Sequence, residues 1–152
     1  MNTILSILIL VPMLKVKKFD SDAVLPVKGR PGDAGWDLSS VETVEIPPQS
    51  WRLVDTGIGF TVPDGTYGRI APRSGVSIKG ISVNAGVIDK TYTGRVKVIL
   101  VNHSSTSAYQ VEKHHKIAQL ILEQIIDECP VVEVEDLTTT VRGDGGFGSS
   151  GV

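Results

Sequence analysis

Short apolar runs rich in β-branched and aromatic residues recur along the chain, broken at close intervals by proline and glycine. Leu14 to Phe19, Gly35 to Val41, Thr43 to Ile46, Trp51 to Phe60, Tyr67 to Ala71, Ile81 to Val83, Val96 to Asn102 and Val131 to Val134 have strand composition. The breaks fall at Pro31-Gly32, Pro47-Pro48, Pro63-Asp64-Gly65 and Gly94. Helical periodicity is scarce. Many short strands between turns predict an all-β sandwich, jelly roll or closed barrel. Lys116 to Ile126 has a composition that also allows a helix, but between all-β neighbours it reads as a buried strand. Ser74 to Lys79 is expected to form the only short helix.

The most informative stretch runs from Asn84 to Val96. Apolar residues lead in, a polar loop is bounded by Gly86 and Gly94, and Val96 to Leu100 lead out, which predicts a β-hairpin with a short glycine-containing turn. The loop carries a carboxylate, Asp89, and an aromatic ring, Tyr92, three residues apart. A ligand at its mouth meets backbone amides, an acid and a flat face, a combination that suits a nucleotide.

Composition narrows the class. At 152 residues the chain suits one domain, able to bury about two-thirds of the surface its unfolded form exposes. A formal charge of −2 argues against a general nucleic-acid binder, so an anionic substrate needs positive charge concentrated locally or a metal. The single cysteine, Cys129, excludes an intrachain disulfide and fits a reducing compartment. Ile4 to Val11 has the length of a signal-peptide core, but no Lys or Arg precedes it and no small-residue cleavage site follows. It is also shorter than the roughly 20 residues of a membrane span. Met13 is the expected natural start, with the first twelve residues an extension or an additional edge strand. At the other end, residues 142–152 hold five glycines, two serines and a phenylalanine. Ordering about ten such residues costs on the order of 10–20 kcal/mol, so this tail is expected to stay mobile until something pins it.

Most short motifs carry nothing. Gly143-x-Gly145-x-x-Gly148 and Gly146-x-Gly148-x-x-Gly151 have dinucleotide-fingerprint spacing, but no strand–helix context surrounds them. Arg142-Gly143-Asp144 is an integrin-type tripeptide of a length that recurs by chance, and Asn102-His103-Ser104 is a glycosylation sequon without meaning inside the cell. His103, His114 and His115 lack metal-site spacing and read as solvated. No phosphate-loop lysine motif or serine-nucleophile elbow is present. One rival is substantive. Asp55-Thr56-Gly57 between apolar strands matches the small dimeric aspartic proteases, in which two carboxylates share a proton, although Ile58 stands where Ser or Ala is usual. The bland alternative is that Asp55 begins a turn.

Five stretches taken in order carry a more specific signal: Pro31 to Leu38 (PGDAGWDL), Ala71 to Gly75 (APRSG), the central hairpin, Lys116 to Ile121 (KIAQLI) and Arg142 to Gly151 (RGDGGFGSSG). Together they resemble the five motifs of the homotrimeric dUTP pyrophosphatases (dUTPases), over about residues 14–151. The resemblance implies a distorted jelly-roll or β-barrel fold and a homotrimer whose C-terminal arm reaches a neighbouring subunit. It also implies Mg²⁺-dependent hydrolysis of dUTP to dUMP and pyrophosphate, by water attack on the α-phosphorus.

Residue by residue, Asp89 matches the family's water-activating carboxylate; an aspartate is ionised at neutral pH and able to accept a proton. The bland reading has Asp89 only capping the hairpin turn. Tyr92 matches the ring that lies against deoxyribose and leaves no room for a 2′-hydroxyl. The backbone of Gly86, Val87 and Ile88 matches the uracil-reading edge, and Asn84 is expected to add a side-chain contact. Arg73, Ser74 and Gly75 match phosphate contacts, as does Gln119, whose buried amide would otherwise need another partner. Asp37 matches the carboxylate that helps hold Mg²⁺, an ion gripped through carboxylates, phosphates and waters. Arg142, Phe147, Gly148 and Ser149 match the closing arm: the phenylalanine stacks on uracil, the others contact phosphate, and closure excludes water.

Two departures stand out. His114-His115-Lys116 occupy the place of the family's Gly-Asp-Arg, which puts a structural ion pair in doubt and suggests pH sensitivity near neutrality. Thr91 replaces a frequent acid two residues after the base. Alternatives from other classes are a dCTP deaminase, which would need a glutamate near the hairpin, and a non-catalytic nucleotide or protein binder. The expected organisation is an extension at 1–13, a β domain at 14–141 and a glycine-rich lid at 142–152. The expected setting is intracellular, in cytoplasm or nucleus, with dUTP as partner and neither nucleic acid nor membrane.

Overall fold

Alternation along Lys97–Asn102 shows how the chain sorts itself: Val98, Leu100 and Asn102 are buried, while Lys97 is exposed and Ile99 and Val101 are half-covered. This strand, β9, pairs antiparallel with β4 (Ser50–Asp55) on one side and β7 (Ile81–Asn84) on the other. The computed structural model describes residues 11–146. The remaining strands are β1 (Lys15–Lys18), β2 (Trp36–Ser39), β3 (Val44–Ile46), β5 (Ile58–Thr61), β6 (Thr66–Ala71), β8 (Val87–Ile88), β10 (Tyr109–Val111) and β11 (Lys116–Gln124). A four-residue helix, α1 (Ser74–Ser77), lies between β6 and β7. A four-stranded sheet, ordered β2-β11-β6-β8, complements the β4-β9-β7 sheet, and β1-β5 and β10-β3 form two smaller antiparallel pairs.

The core lies where these layers meet. Val54, Val98, Leu100 and Ile81 from one sheet join one cluster with Leu38, Ile70, Ala118 and Leu120 from the other. Burying each large side chain contributes about 1.5–3 kcal/mol. Asn102 is the polar exception and is fully satisfied: its Nδ2 donates to the carbonyls of Ile46 (3.0 Å) and Ser107 (2.9 Å), and its Oδ1 accepts the Ser104 amide. A side chain committed this way is no glycan acceptor.

The all-β expectation holds, and Lys116 to Ile126 is indeed a strand, ending at Gln124. Four local expectations change. Trp51 to Phe60 is two strands, because Gly57 turns at φ +67° and Asp55 accepts its amide. Among the described residues Val131 to Val134 joins no ladder; past Ile125, whose amide donates to the Gly65 carbonyl, the segment to Val141 is exposed and forms no strand. A strand without a neighbour cannot satisfy its backbone in a ladder, whatever its composition. β8 and β10 are additional. The hairpin turn is not tight. β7 and β9 pair directly, from Ile81↔Asn102 to Asn84↔Ile99, and residues 85–96 leave them as a long excursion in which β8 joins β6.

Candidate active site

The excursion is held against β6 by Gly86. Its φ is +105°, its carbonyl accepts the Ile70 amide at 2.7 Å, and a Cβ there would lie 2.5 Å from the Ile70 carbonyl oxygen. Only glycine combines that dihedral with that approach. Beyond β8 the chain turns so that the Tyr92 amide donates to the Asp89 main-chain carbonyl at 2.9 Å. The turn is therefore closed by the backbone of Asp89, and among the described residues its carboxylate has no hydrogen-bond or ion-pair partner. Capping does not occupy it. Asp89, Tyr92, Val87 and Ile88 share a cleft of about 580 Å³ with Arg95 and Leu53. Lys90 ties the loop to the β5–β6 turn through Asp64 at 2.8 Å. That contact, hydrogen bond first and charge second, holds the Asp64 carboxyl below its ordinary range and raises Lys90.

A second cleft, of about 360 Å³, opens where β2, β11 and the start of α1 meet. Arg73 Nε donates to Asp37 Oδ1 at 2.7 Å, and its Nη1 donates to the Lys116 carbonyl at 3.2 Å. Lys116 Nζ pairs with the other Asp37 oxygen at 2.8 Å. Those bonds use two of a guanidinium's five N–H groups, so three are left for a ligand. Gly75 faces open space, with nothing within 4 Å of a Cβ built on it, and gives the cleft a bare backbone floor beside Ser74. Gln119 Nε2 donates to the Pro72 carbonyl at 2.8 Å. That bond uses one of the two N–H groups of the amide, so Gln119 props the Pro72–Arg73 backbone and keeps a second donor for a ligand oxygen.

Both Asp37 oxygens already face cations. The cleft's two carboxylates, Asp33 and Asp37, balance its two cations, Arg73 and Lys116. A triphosphate bearing about four negative charges therefore needs further positive charge here. Among the described residues no group of three or more His, Cys, Asp or Glu side chains could hold a metal ion. The donor set fits a hard cation carried mainly by substrate oxygens and waters, with Asp37 as an outer partner, and not a protein-caged ion.

Among the described residues none lines both clefts. Asn84 is exposed at the end of β7, and Arg142 donates its Nε to the Gly145 carbonyl at 2.8 Å; neither lines a cleft. Phe147, Gly148 and Ser149 lie outside the described residues. Lys116 went unassigned at the sequence level. Its place beside Asp37 depends on the β2–β11 register, irregular between Lys116 and Ala118, and no motif spacing encodes that.

Asp55 does not present a free carboxylate. Its Oδ1 accepts the Gly57 amide at 2.7 Å and Arg95 Nε at 2.9 Å, so the turn-forming reading replaces the protease one. The three histidines are exposed and separately engaged: His103 with the Ser82 hydroxyl, His114 with the Asp22 carbonyl, and His115 as acceptor of the Glu112 amide. Lys113 pairs with Asp22 at 2.6 Å in the same loop.

With this geometry in hand, three comparisons bear on the chain. The dUTPase family model matches residues 21–151. A deoxyuridine 5′-triphosphate nucleotidohydrolase of Eremothecium gossypii is 49% identical over 141 residues, covering 92% of each chain. The dUTPase of Staphylococcus bacteriophage 80alpha, solved with dUpNHpp, superposes with a TM-score of 0.86 at 30% identity, covering 92% of this chain and 99% of its own. A mutant dUTPase of S. aureus phage phi11, whose structure details coordination of a structural Mg(II) ion, superposes at 0.76 and 26% identity, covering 82% and 97%.

Proposed function

This chain belongs to the dUTPase family, and from that premise we propose that it hydrolyses dUTP to dUMP and pyrophosphate, with Asp89 as the general base. The activity limits uracil incorporation into DNA and supplies dUMP for thymidylate synthesis. The observation that carries the assignment of Asp89 is its unpartnered carboxylate in a cleft with Tyr92, on a loop fastened by Gly86 and Lys90. In this reading Asp89 takes a proton from a water held in line with the α-phosphorus. The new P–O bond forms as the bond to the bridging oxygen breaks, and pyrophosphate leaves with that electron pair. Proton transfer by a positioned side chain contributes about 10²–10⁴-fold.

Tyr92 lies against the deoxyribose, and the backbone of Gly86, Val87 and Ile88 reads uracil, with Asn84 at the edge. Arg73, Ser74 and Gly75 bind the phosphates, while Asp37, Lys116 and Gln119 orient them. Bound Mg²⁺ would neutralise phosphate charge, with Asp37 reaching it through water.

The assembly proposed is a homotrimer in which the hairpin cleft of one subunit and the phosphate cleft of another form one site. The absence of any residue common to the two clefts supports it. So does the outer face of β4-β9-β7, where Trp51 and Leu53 stand exposed beside Ile99 and Val101. The exposed segment after Ile125, which joins no strand among the described residues, suits an arm that carries residues 142–152 to a neighbour. Sedimentation at a trimeric mass tests this arrangement. Among the described residues no helix is long and apolar enough to cross a membrane. The exposed thiol of Cys129 and the reaction itself favour an intracellular setting, cytoplasm or nucleus.

The test of function is pyrophosphate release from a panel of dUTP, dTTP, dCTP and UTP with and without Mg²⁺. Release from dUTP, depending on the metal and lost in Asp89→Asn, is expected. Ammonia release from dCTP, or binding without turnover, would sink this reading in favour of a deaminase or a binding protein.

A further inference from the structure

The Asp55-Thr56-Gly57 turn is where three distant pieces of chain are fastened. Arg95 Nε contacts the Asp55 carboxylate at 2.7 Å from Oδ2, and the guanidinium also pairs with Asp20. Asp20 follows β1 and is set beside the same turn: the amides of Phe19 and Asp20 both donate to the Gly57 carbonyl. The stem of the excursion is stitched here as well, with Thr56 Oγ1 donating to the Val96 carbonyl at 2.6 Å and the Val96 amide to Ile58 at 2.8 Å. The main-chain carbonyl of Arg95 in turn accepts the Tyr92 hydroxyl at 2.8 Å. Below the Tyr92 ring lies Gly94, where a Cβ would come within 2.7 Å of the ring. A glycine offers no side-chain wall, so the lie of the ring depends on the tether at its hydroxyl end.

We propose that Arg95, clamped between Asp55 and Asp20, is a positioning residue that holds the Tyr92 ring and thereby sets discrimination between deoxyribose and ribose. The inference rests on the reading of Tyr92 as the sugar-facing ring. Exposed ion pairs add little stability, but this one fixes where a carbonyl points. An apolar wall rejects an added hydroxyl by roughly a hundredfold, and that margin shrinks when the wall is free to withdraw. A displacement of about 1 Å is enough to cost a hundredfold in a positioned site.

The experiment measures kcat/KM for dUTP and for UTP with the full chain. Arg95→Met keeps much of the aliphatic stem and removes the charge; the dUTP/UTP ratio is expected to fall about tenfold. Arg95→Lys, still able to bridge the two carboxylates, should recover most of that ratio. Tyr92→Phe cuts the same tether and should reproduce the fall, with Arg95→Met adding little in that background. A parallel loss for both nucleotides in Arg95→Met, beside a collapsed ratio in Tyr92→Ala, would show a merely structural role and overturn the anchor. An unchanged ratio in Tyr92→Ala removes the sugar-facing assignment itself and the anchor with it. Should Arg95→Met fail to fold, Tyr92→Phe leaves every ion pair in place and decides alone: no change in ratio refutes the proposal.

Discussion

Arg73 and Asp37, 36 positions apart in the chain, meet through Nε and Oδ1 at 2.7 Å, and this bond holds the guanidinium at the cleft between β2, β11 and α1. Lys116 takes the second carboxylate oxygen, so Asp37 orients two cations at once. Arginine suits this place because it donates from several fixed N–H groups; lysine has one flexible ammonium.

Arg73→Lys keeps the charge and loses the fork. With hydrogen bonds to charged groups worth about 1.5–3 kcal/mol, KM for dUTP is expected to rise about tenfold or more. Steady-state kinetics check it; an unchanged KM would mean that charge alone matters there.

On the proposed mechanism Asp89→Asn removes the proton acceptor and almost nothing else. Turnover should fall by about 10²–10⁴-fold while a non-hydrolysable dUTP analogue binds nearly as before. Calorimetry with the analogue, beside pyrophosphate release, separates the two effects.

Gly86→Ala forces a side chain into a left-handed position 2.5 Å from the Ile70 carbonyl oxygen. We expect a loss of about 1–3 kcal/mol in stability. Because the clash lies at the root of the Asp89 loop, activity should fall further than stability predicts. Urea unfolding and kcat measured on the same preparation test the pair of effects.

Glu123 on β11 accepts the Tyr67 hydroxyl at 2.5 Å and pairs with Arg69 at 2.8 Å on β6. These contacts, the hydroxyl first and the guanidinium next, hold its carboxyl below the ordinary value of 4.5. A depressed folded value means the ionised form stabilises the fold at any pH above the ordinary value. That contribution disappears as pH falls through the lowered one. The Tm difference between the wild type and Glu123→Gln should thus be steady from neutrality to about pH 5 and shrink below about pH 4.5. Thermal unfolding across that range is the measurement, and a gap that widens in acid would contradict it.

Deleting residues 142–152 should reduce dUTP hydrolysis by about a hundredfold through lost substrate positioning, with the thermal midpoint nearly unchanged. Full activity in the truncated chain would remove the lid from the mechanism.

Much of the architecture was legible because strand alternation and turn residues are local signals. β9 is legible from its largely β-branched apolar run Val98 to Val101, while the fold shows that Val98 and Leu100 are the ones facing inward. The break at Gly57 lies inside one apolar run, where Asp55-Thr56-Gly57 offers both a turn and a protease motif; the Asp55 bonds to the Gly57 amide and to Arg95 decide for the turn. Val131 to Val134 has strand composition but no partner strand among the described residues. The excursion after Asn84 was read too short, because β8 leaves its own hairpin to pair with β6.

By itself, the sequence determined the all-β class, the family and the residue types available for chemistry, including an acid and a ring three positions apart. Tertiary structure alone decided that the Asp89 carboxylate stays unpaired among the described residues while Asp37 and Asp55 meet cations, and that Arg95 stands behind Tyr92. The physical reason is that alternation and turn preference act over a few residues. Charge pairing instead follows strand register, which brings together groups dozens of positions apart and is set by burial of the whole core.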